Sequence, residues 1–117
     1  MRALMELKSI FYLMLLQITP NLKGYRYFKE AIIKVCEDGS KKHNMSKVLF
    51  KELAEMTGDN VSVVDRTLRH ALKKGYERNG IKILRRELDL EIDDDKPSVK
   101  EIICLLAEKL ALDITNY

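Results

Sequence analysis

Residues 50–78 read FKELAEMTGDNVSVVDRTLRHALKKGYER. Two amphipathic segments meet across a short break, the first ending at Gly58 and the second running from about Val61 or Ser62 to Arg78. The break carries Gly58, where a left-handed backbone is needed and only glycine adopts it at no steric cost. Ala54, four residues earlier, is small enough to let two helices cross closely, and Val64, six residues later, is shaped to fill the angle between them. Asn60 stands where a helix N-cap belongs. An alanine, a glycine and a branched apolar residue at this spacing write a helix-turn-helix. Many ordinary helical hairpins share that skeleton, so the second helix must add weight. It places Val61, Val64, Leu68, Ala71 and Leu72 on one face, and Ser62, Val63, Asp65, Arg66, Arg69, His70 and Lys73 largely on the other.

The flanking sequence keeps the helical period. Leu4–Ile18 has apolar residues at 4, 7, 11, 14, 15 and 18, predicted to face inward, and Thr19-Pro20-Asn21 ends it. A second helix is predicted over Lys23–Glu37, with Tyr27 or Phe28, Ala31, Ile32, Val35 and Cys36 inside and Gly39 as terminator. Residues 38–47 read as a flexible polar loop carrying Lys41, Lys42, His43 and Lys47. A third helix begins near Lys47 or Val48 with Ser46 as its cap, and ends at Gly58. After the helix-turn-helix, Ile81–Leu88 forms a fifth helix. Asp93-Asp94-Asp95-Lys96-Pro97 forms a solvated loop, and Ser98 caps a sixth helix running to about Leu112. The fold class is therefore all-α: six helices, an N-terminal helix over 1–18 joined to a helix-turn-helix domain over 19–117 as one compact unit.

Composition agrees. The 117 residues are 46% hydrophobic and 33% charged, which suits one globular domain and not a disordered chain. The net charge is only +3, but it is unevenly spread. Arg66–Arg86 holds eight Lys or Arg, and Glu87–Asp95 holds six acids and no base. Such a block suits a basic face turned to a polyanion. The apolar stretch Ile10–Ile18 is too short to span a bilayer, and a cytoplasmic location is expected. Cys36 and Cys104 sit in apolar helical patterns and read as small buried residues. Neither pairs with His43 or His70 at a metal-binding spacing, so no metal or cofactor is expected. With no phosphate loop and no nucleophile paired to a base, the chain is not expected to be an enzyme.

The outer face of the second helix is suited to double-stranded DNA. In the usual docking, the N-terminal part of this helix meets base edges in the major groove. Arg66 and Arg69 can each donate bidentately to a guanine; Asp65 can accept from a cytosine amino group or orient Arg69. Val63 can touch a thymine methyl, and Ser62 can bond a phosphate together with free backbone amides. His70, Lys73, Lys74, Arg78 and Lys47 suit phosphates. The competing account is a solvated helix face with ion pairs one turn apart.

The stretches Lys23-Gly24-Tyr25-Arg26-Tyr27-Phe28-Lys29-Glu30-Ala31-Ile32, Lys47-Val48-Leu49-Phe50 and Arg66-Thr67-Leu68-Arg69-His70-Ala71 together resemble the C-terminal DNA-binding effector domain of the stage 0 sporulation protein A family, the master response regulators of endospore-forming bacteria. Lys96-Pro97-Ser98 and Leu106-Ala107-Glu108-Lys109-Leu110 complete the match, which runs from about Thr19 to Leu112. The resemblance implies a transcription factor that reads short boxes through its fourth helix, often as adjacent head-to-tail copies forming a homodimer on DNA. It also implies contact with RNA polymerase near the fifth helix, where Lys82, Arg85 and Arg86 lie. The family's fourth helix presents arginine, valine, glutamate and arginine, then arginine-histidine three residues on. Here Asp65 stands for the glutamate, Arg66 and Arg69-His70 match, and Val63 replaces the first arginine. Only residues 1–18 precede the match, so the phosphoacceptor receiver domain of the family is expected to be missing. The rival reading is a protein-interaction module of the same fold that binds polymerase or another regulator without binding DNA.

Overall fold

The computed structural model describes residues 1–93 and 95–115; Asp94 of the expected acidic loop lies outside the described residues. Six α-helices follow in order: α1 (Arg2–Leu15), α2 (Lys23–Glu37), α3 (Phe50–Thr57), α4 (Val61–Glu77), α5 (Gly80–Leu88) and α6 (Val99–Thr115). Among the described residues there is no strand. The all-α, six-helix reading holds.

α2 is the central element. It packs against α1, α4 and α6, and so it buries more than one stripe: Tyr27, Phe28, Ala31, Ile32, Ile33 and Val35 are all inside. Both candidates at its start, Tyr27 and Phe28, are core residues, while Cys36 is only partly buried. Gly24 sets how closely α2 crosses α4. A β-carbon there would stand 2.6 Å from the Ala71 side chain and 2.8 Å from the Thr67 carbonyl oxygen, so only glycine fits. Leu49, Phe50, Leu53, Val64, Leu68, Leu84, Ile102, Ile103, Leu106 and Leu110 complete one continuous core with α2.

α1 corrects the expected phase. Its inward residues are Met5, Ser9, Tyr12 and Leu13, with Leu16 just beyond its end. Leu7, Phe11 and Met14, expected inside, are exposed. The helix is apolar on almost every side, so its hydrophobic period did not single out one face. Packing decides instead. The Tyr12 hydroxyl donates to Asp113 of α6, and Arg2 donates to Glu30 of α2 at 2.7 Å. α1 also stops three residues early, at Leu15, because Gln17 turns into the left-handed region at φ 66°. Leu16 then reaches Gly75 and Gly80. A side chain at Gly80 would run into the Leu16 carbonyl oxygen.

Residues 38–47 are not a flexible loop. α2 ends at Glu37 with Asp38 as its C-cap, without Gly39 as terminator, and the Asp38 carboxylate accepts from the Ser40 amide at 3.1 Å and its hydroxyl at 2.6 Å. A 3-10 turn over Gly39–Asn44 and a π turn over Met45–Leu49 follow. Buried Met45 and Leu49 fasten this segment to the core. Ser46 lies inside the π turn and caps nothing; α3 starts at Phe50 without a side-chain cap. At the other end of the chain, the Ser98 hydroxyl accepts from the Glu101 amide at 3.1 Å, and Glu101 accepts from the Ser98 amide at 3.3 Å. That reciprocal pair is a capping box. Among the described residues, no helix is long and apolar enough to cross a membrane.

Candidate nucleic-acid interface

The turn between α3 and α4 takes the expected form. Gly58 adopts φ 78°, and the amides of Gly58 and Asp59 both return to the Ala54 carbonyl, the latter at 3.1 Å. Ala54 is buried, and Val64 is fully enclosed in the angle between the helices. The Asn60 side chain accepts from the Val63 amide at 3.0 Å and so fixes where α4 begins.

A second set of contacts holds the turn, and it was not visible in the sequence pattern. The Tyr27 hydroxyl of α2 donates to Asp59 and lies 2.8 Å from the Thr57 hydroxyl. Lys23 stands 3.3 Å from Asp59. The Tyr27 hydrogen bond, helped by Lys23, holds the Asp59 carboxyl below its ordinary value. Burial, with Asp59 beside it, pushes the Tyr27 phenol up. The partners lie about thirty residues apart along the chain, so no local motif announces them.

With Val64, Leu68, Ala71, Leu72 and Gly75 buried, the opposite face of α4 is fixed by the 3.6-residue period. Ser62, Arg66, Arg69, His70 and Lys73 are exposed there. From Ser62 to Lys73 the face runs about 16 Å along the helix axis. Among the described residues, Arg66, His70 and Lys73 make no ion pair or hydrogen bond through their side chains. Arg69 lies 3.6 Å from Asp65, and both are well exposed. Such a pair contributes little to folding, and it leaves the guanidinium on the outer face. Val63 is half-buried at the edge of this face.

Other predicted contacts are placed differently. Lys74 is turned towards Glu77 at 3.6 Å. Arg78 donates to the Gln17 carbonyl at 3.2 Å and to the Thr19 hydroxyl at 3.4 Å, which ties the end of α4 to the α1–α2 turn. Lys47 is exposed on the π turn before α3, and Lys41 is bound to Glu52 at 2.8 Å. In α5, Arg85 donates to the Ile92 carbonyl at 2.7 Å and so holds the acidic segment back against its own helix.

Sequence reasoning missed the neighbour of the Asp65–Arg69 edge. The segment entering α6 comes alongside α4 there, and the two enclose an open cavity of about 380 Å³. Leu72, Tyr76, Pro97 and Val99 form its apolar wall, and Lys96 and Lys100 stand at its rim beside Arg69. The Tyr76 hydroxyl donates to the Pro97 carbonyl and anchors this approach. On the other flank, the start of α2 crosses α4 at Thr67 and Ala71 and brings Lys23 and exposed Arg26 close to the turn. Cationic side chains thus stand on both sides of the outer face of α4.

Burial pushes the Cys36 and Cys104 thiols up, which makes them poor nucleophiles. No group of three His, Cys, Asp or Glu capable of holding a metal occurs among the described residues. The arrangement offers a firmly seated helix whose free face is basic. Residues 10–110 match the family model described as sporulation initiation factor Spo0A C terminal, and the chain belongs to that family of DNA-binding effector domains.

Proposed function

We propose that this chain is a sequence-specific DNA-binding transcription regulator that lays the first half of α4 in the major groove. One observation carries the reading. The fixed turn at Gly58 and the cap at Asn60 present a face on which Arg66, His70 and Lys73 have no other employment in the fold. Unsatisfied cations on the outer helix of a helix-turn-helix match the pattern of charge and hydrogen bonding in the groove.

In this reading Arg66 and Arg69 donate to guanine edges. Asp65 holds Arg69 in its fork orientation and accepts from a neighbouring base. Ser62 and Val63 complete the base-reading end. His70, Lys73, Lys74 and Lys47 neutralise phosphates, with Lys96 and Lys100 joining them on the α6 side. Arg78 is assigned to the fold, since its guanidinium is spent on Gln17 and Thr19. Val63 stands where the family pattern has arginine, so one base contact of the family is absent here. As for the family at large, copies bound to adjacent boxes and contact with RNA polymerase are the expected partnerships, in the cytoplasm.

The test is a titration against a duplex carrying the family's box, a scrambled duplex of equal length, and a salt series. A preference for the box, with affinity falling by a log–log slope of about −0.9 per neutralised phosphate, is the expected result. Equal binding to both duplexes means a target altered by Val63, to be found by selection from random duplexes. Failure to bind either duplex at low salt refutes the proposal in favour of a protein-interaction module.

A further inference from the structure

We propose that the exposed face of α1 is a dimerisation surface, on which a second copy of this chain packs its own α1 antiparallel about a two-fold axis. The observation behind it is the reversed phase of α1. Leu7 is 66% exposed, Ile10 40%, Phe11 41% and Met14 58%. With exposed Ala3, the residues Ala3, Leu7, Ile10 and Met14 follow a spacing of four, three and four. That is the seam of a helix pair.

The occupant follows from the shape and charge of the seam. It is symmetric about the midpoint between Lys8 and Ser9. An antiparallel second copy sets Leu7 against the partner's Ile10, and small Ala3 against the partner's long Met14. Large meets small at the ends and like meets like at the centre, as a self-complementary two-fold contact requires. The seam itself carries no charge. Arg2 and Glu6 lie to one side, and Arg2 is drawn away from the seam by Glu30 and Glu37 of α2. α1 has no acidic residue in its first turn and no basic residue in its last. Its own sequence therefore leaves the helix dipole uncompensated, and an antiparallel neighbour supplies the opposite pole at each end.

Area sets the strength. The four large side chains expose on the order of 400 Å² per copy, roughly 800 Å² for the pair before the flanking residues are counted. The contact is smaller than a standard specific interface, and the association is therefore weak and reversible. Both ends of α1 are anchored away from the first turns of α4. Arg2 sits on the far half of α2, and Leu16 sits against Gly75 in the last turn of α4. The dimer leaves both outer faces of α4 uncovered. It also differs from head-to-tail contact on adjacent boxes, because it forms without DNA.

Sedimentation equilibrium on the purified chain tests this with no DNA present, so the outcome is independent of the DNA-reading proposal. Across about 1 to 500 µM, a range suited to weak association, the mass is expected to rise from 13.6 kDa towards twice that value. Leu7→Glu and Met14→Glu, each at an exposed position, are expected to remain monomeric with an unchanged thermal melt. Mixing Leu7→Glu with Ile10→Lys is expected to restore a mixed dimer, because these positions face one another in the antiparallel register. A wild-type chain that stays monomeric throughout overturns the proposal. So does a dimer that survives both glutamate variants, or a mixture in which no mixed dimer forms.

Discussion

α1 and α4 each turn one face to solvent, and the two faces are written in opposite chemistry. α4 exposes Arg66, Arg69, His70 and Lys73 and buries valine, leucine and alanine. α1 exposes Leu7, Ile10, Phe11 and Met14 and buries Tyr12, Leu13 and even Ser9. On α4 the contrast between faces is steep, so burial and sequence pattern agree on the helix phase. On α1 there is little contrast, and the phase is set by particular contacts made by Tyr12, Arg2 and Leu16. A helix whose outer face is charged is finished as a structural element. One whose outer face is apolar still has surface to remove from water.

The sharpest way to break the comparison is to strip the charged face. Arg66→Ala with Arg69→Ala removes two bidentate donors, each worth about 1–3 kcal/mol of discrimination. Box binding measured by fluorescence anisotropy is expected to weaken by about a hundredfold or more, while the thermal melt stays within a degree or two of wild type. Unchanged binding sinks α4 as the reading helix.

The next largest effect probes how α1 is seated. Gly80→Ala drives a methyl into the Leu16 carbonyl. Since backbone must shift to relieve it, a loss of about 1–3 kcal/mol is expected from urea denaturation. A neutral result would show that the end of α1 is loosely held, and that its phase is open to change. Asn60→Ala is smaller, about 1 kcal/mol, because it removes the side-chain cap of α4. It sharpens the comparison by also loosening the reading end: affinity for the box should fall alongside stability, as it should not for Gly80→Ala.

The smallest effect concerns pH. Asp59 is held below its ordinary value of 3.8 by the Tyr27 hydroxyl, with Lys23 and Thr57 adding to it. A lowered carboxyl contributes stability above the ordinary value and loses it as pH falls through the lowered one. Melting of wild type and Asp59→Asn should therefore differ most above pH 3.8 and converge in stronger acid. No gap at any pH would mean that the turn is held by Asn60 and Gly58 without Asp59.

Much of the helix-turn-helix was legible because its constraints are local. Gly58 needs a left-handed backbone, Asn60 needs a helix to cap, and Ser98 caps the helix that follows it. α2 was legible for the same reason, down to its bounds. What could not be read depends on partners distant in sequence. The Tyr27–Asp59 hydrogen bond, the close crossing at Gly24 and the approach of Lys96 and Lys100 to Arg69 are of this kind. The stretch 38–47 looked like a loop because it is polar. Two buried side chains, Met45 and Leu49, fold it into turns.

The exposed side chains of the outer face of α4, from Ser62 through Arg66, Arg69 and His70 to Lys73, add nothing to the core. Under the proposed DNA-reading role, selection on folding and selection on target choice act on separate residues of one helix. Single substitutions among Ser62, Arg66 and Arg69 would then move the chain from one operator to another through intermediates that all remain folded. On that reading, a lineage can exchange the genes it controls while keeping the same scaffold to control them.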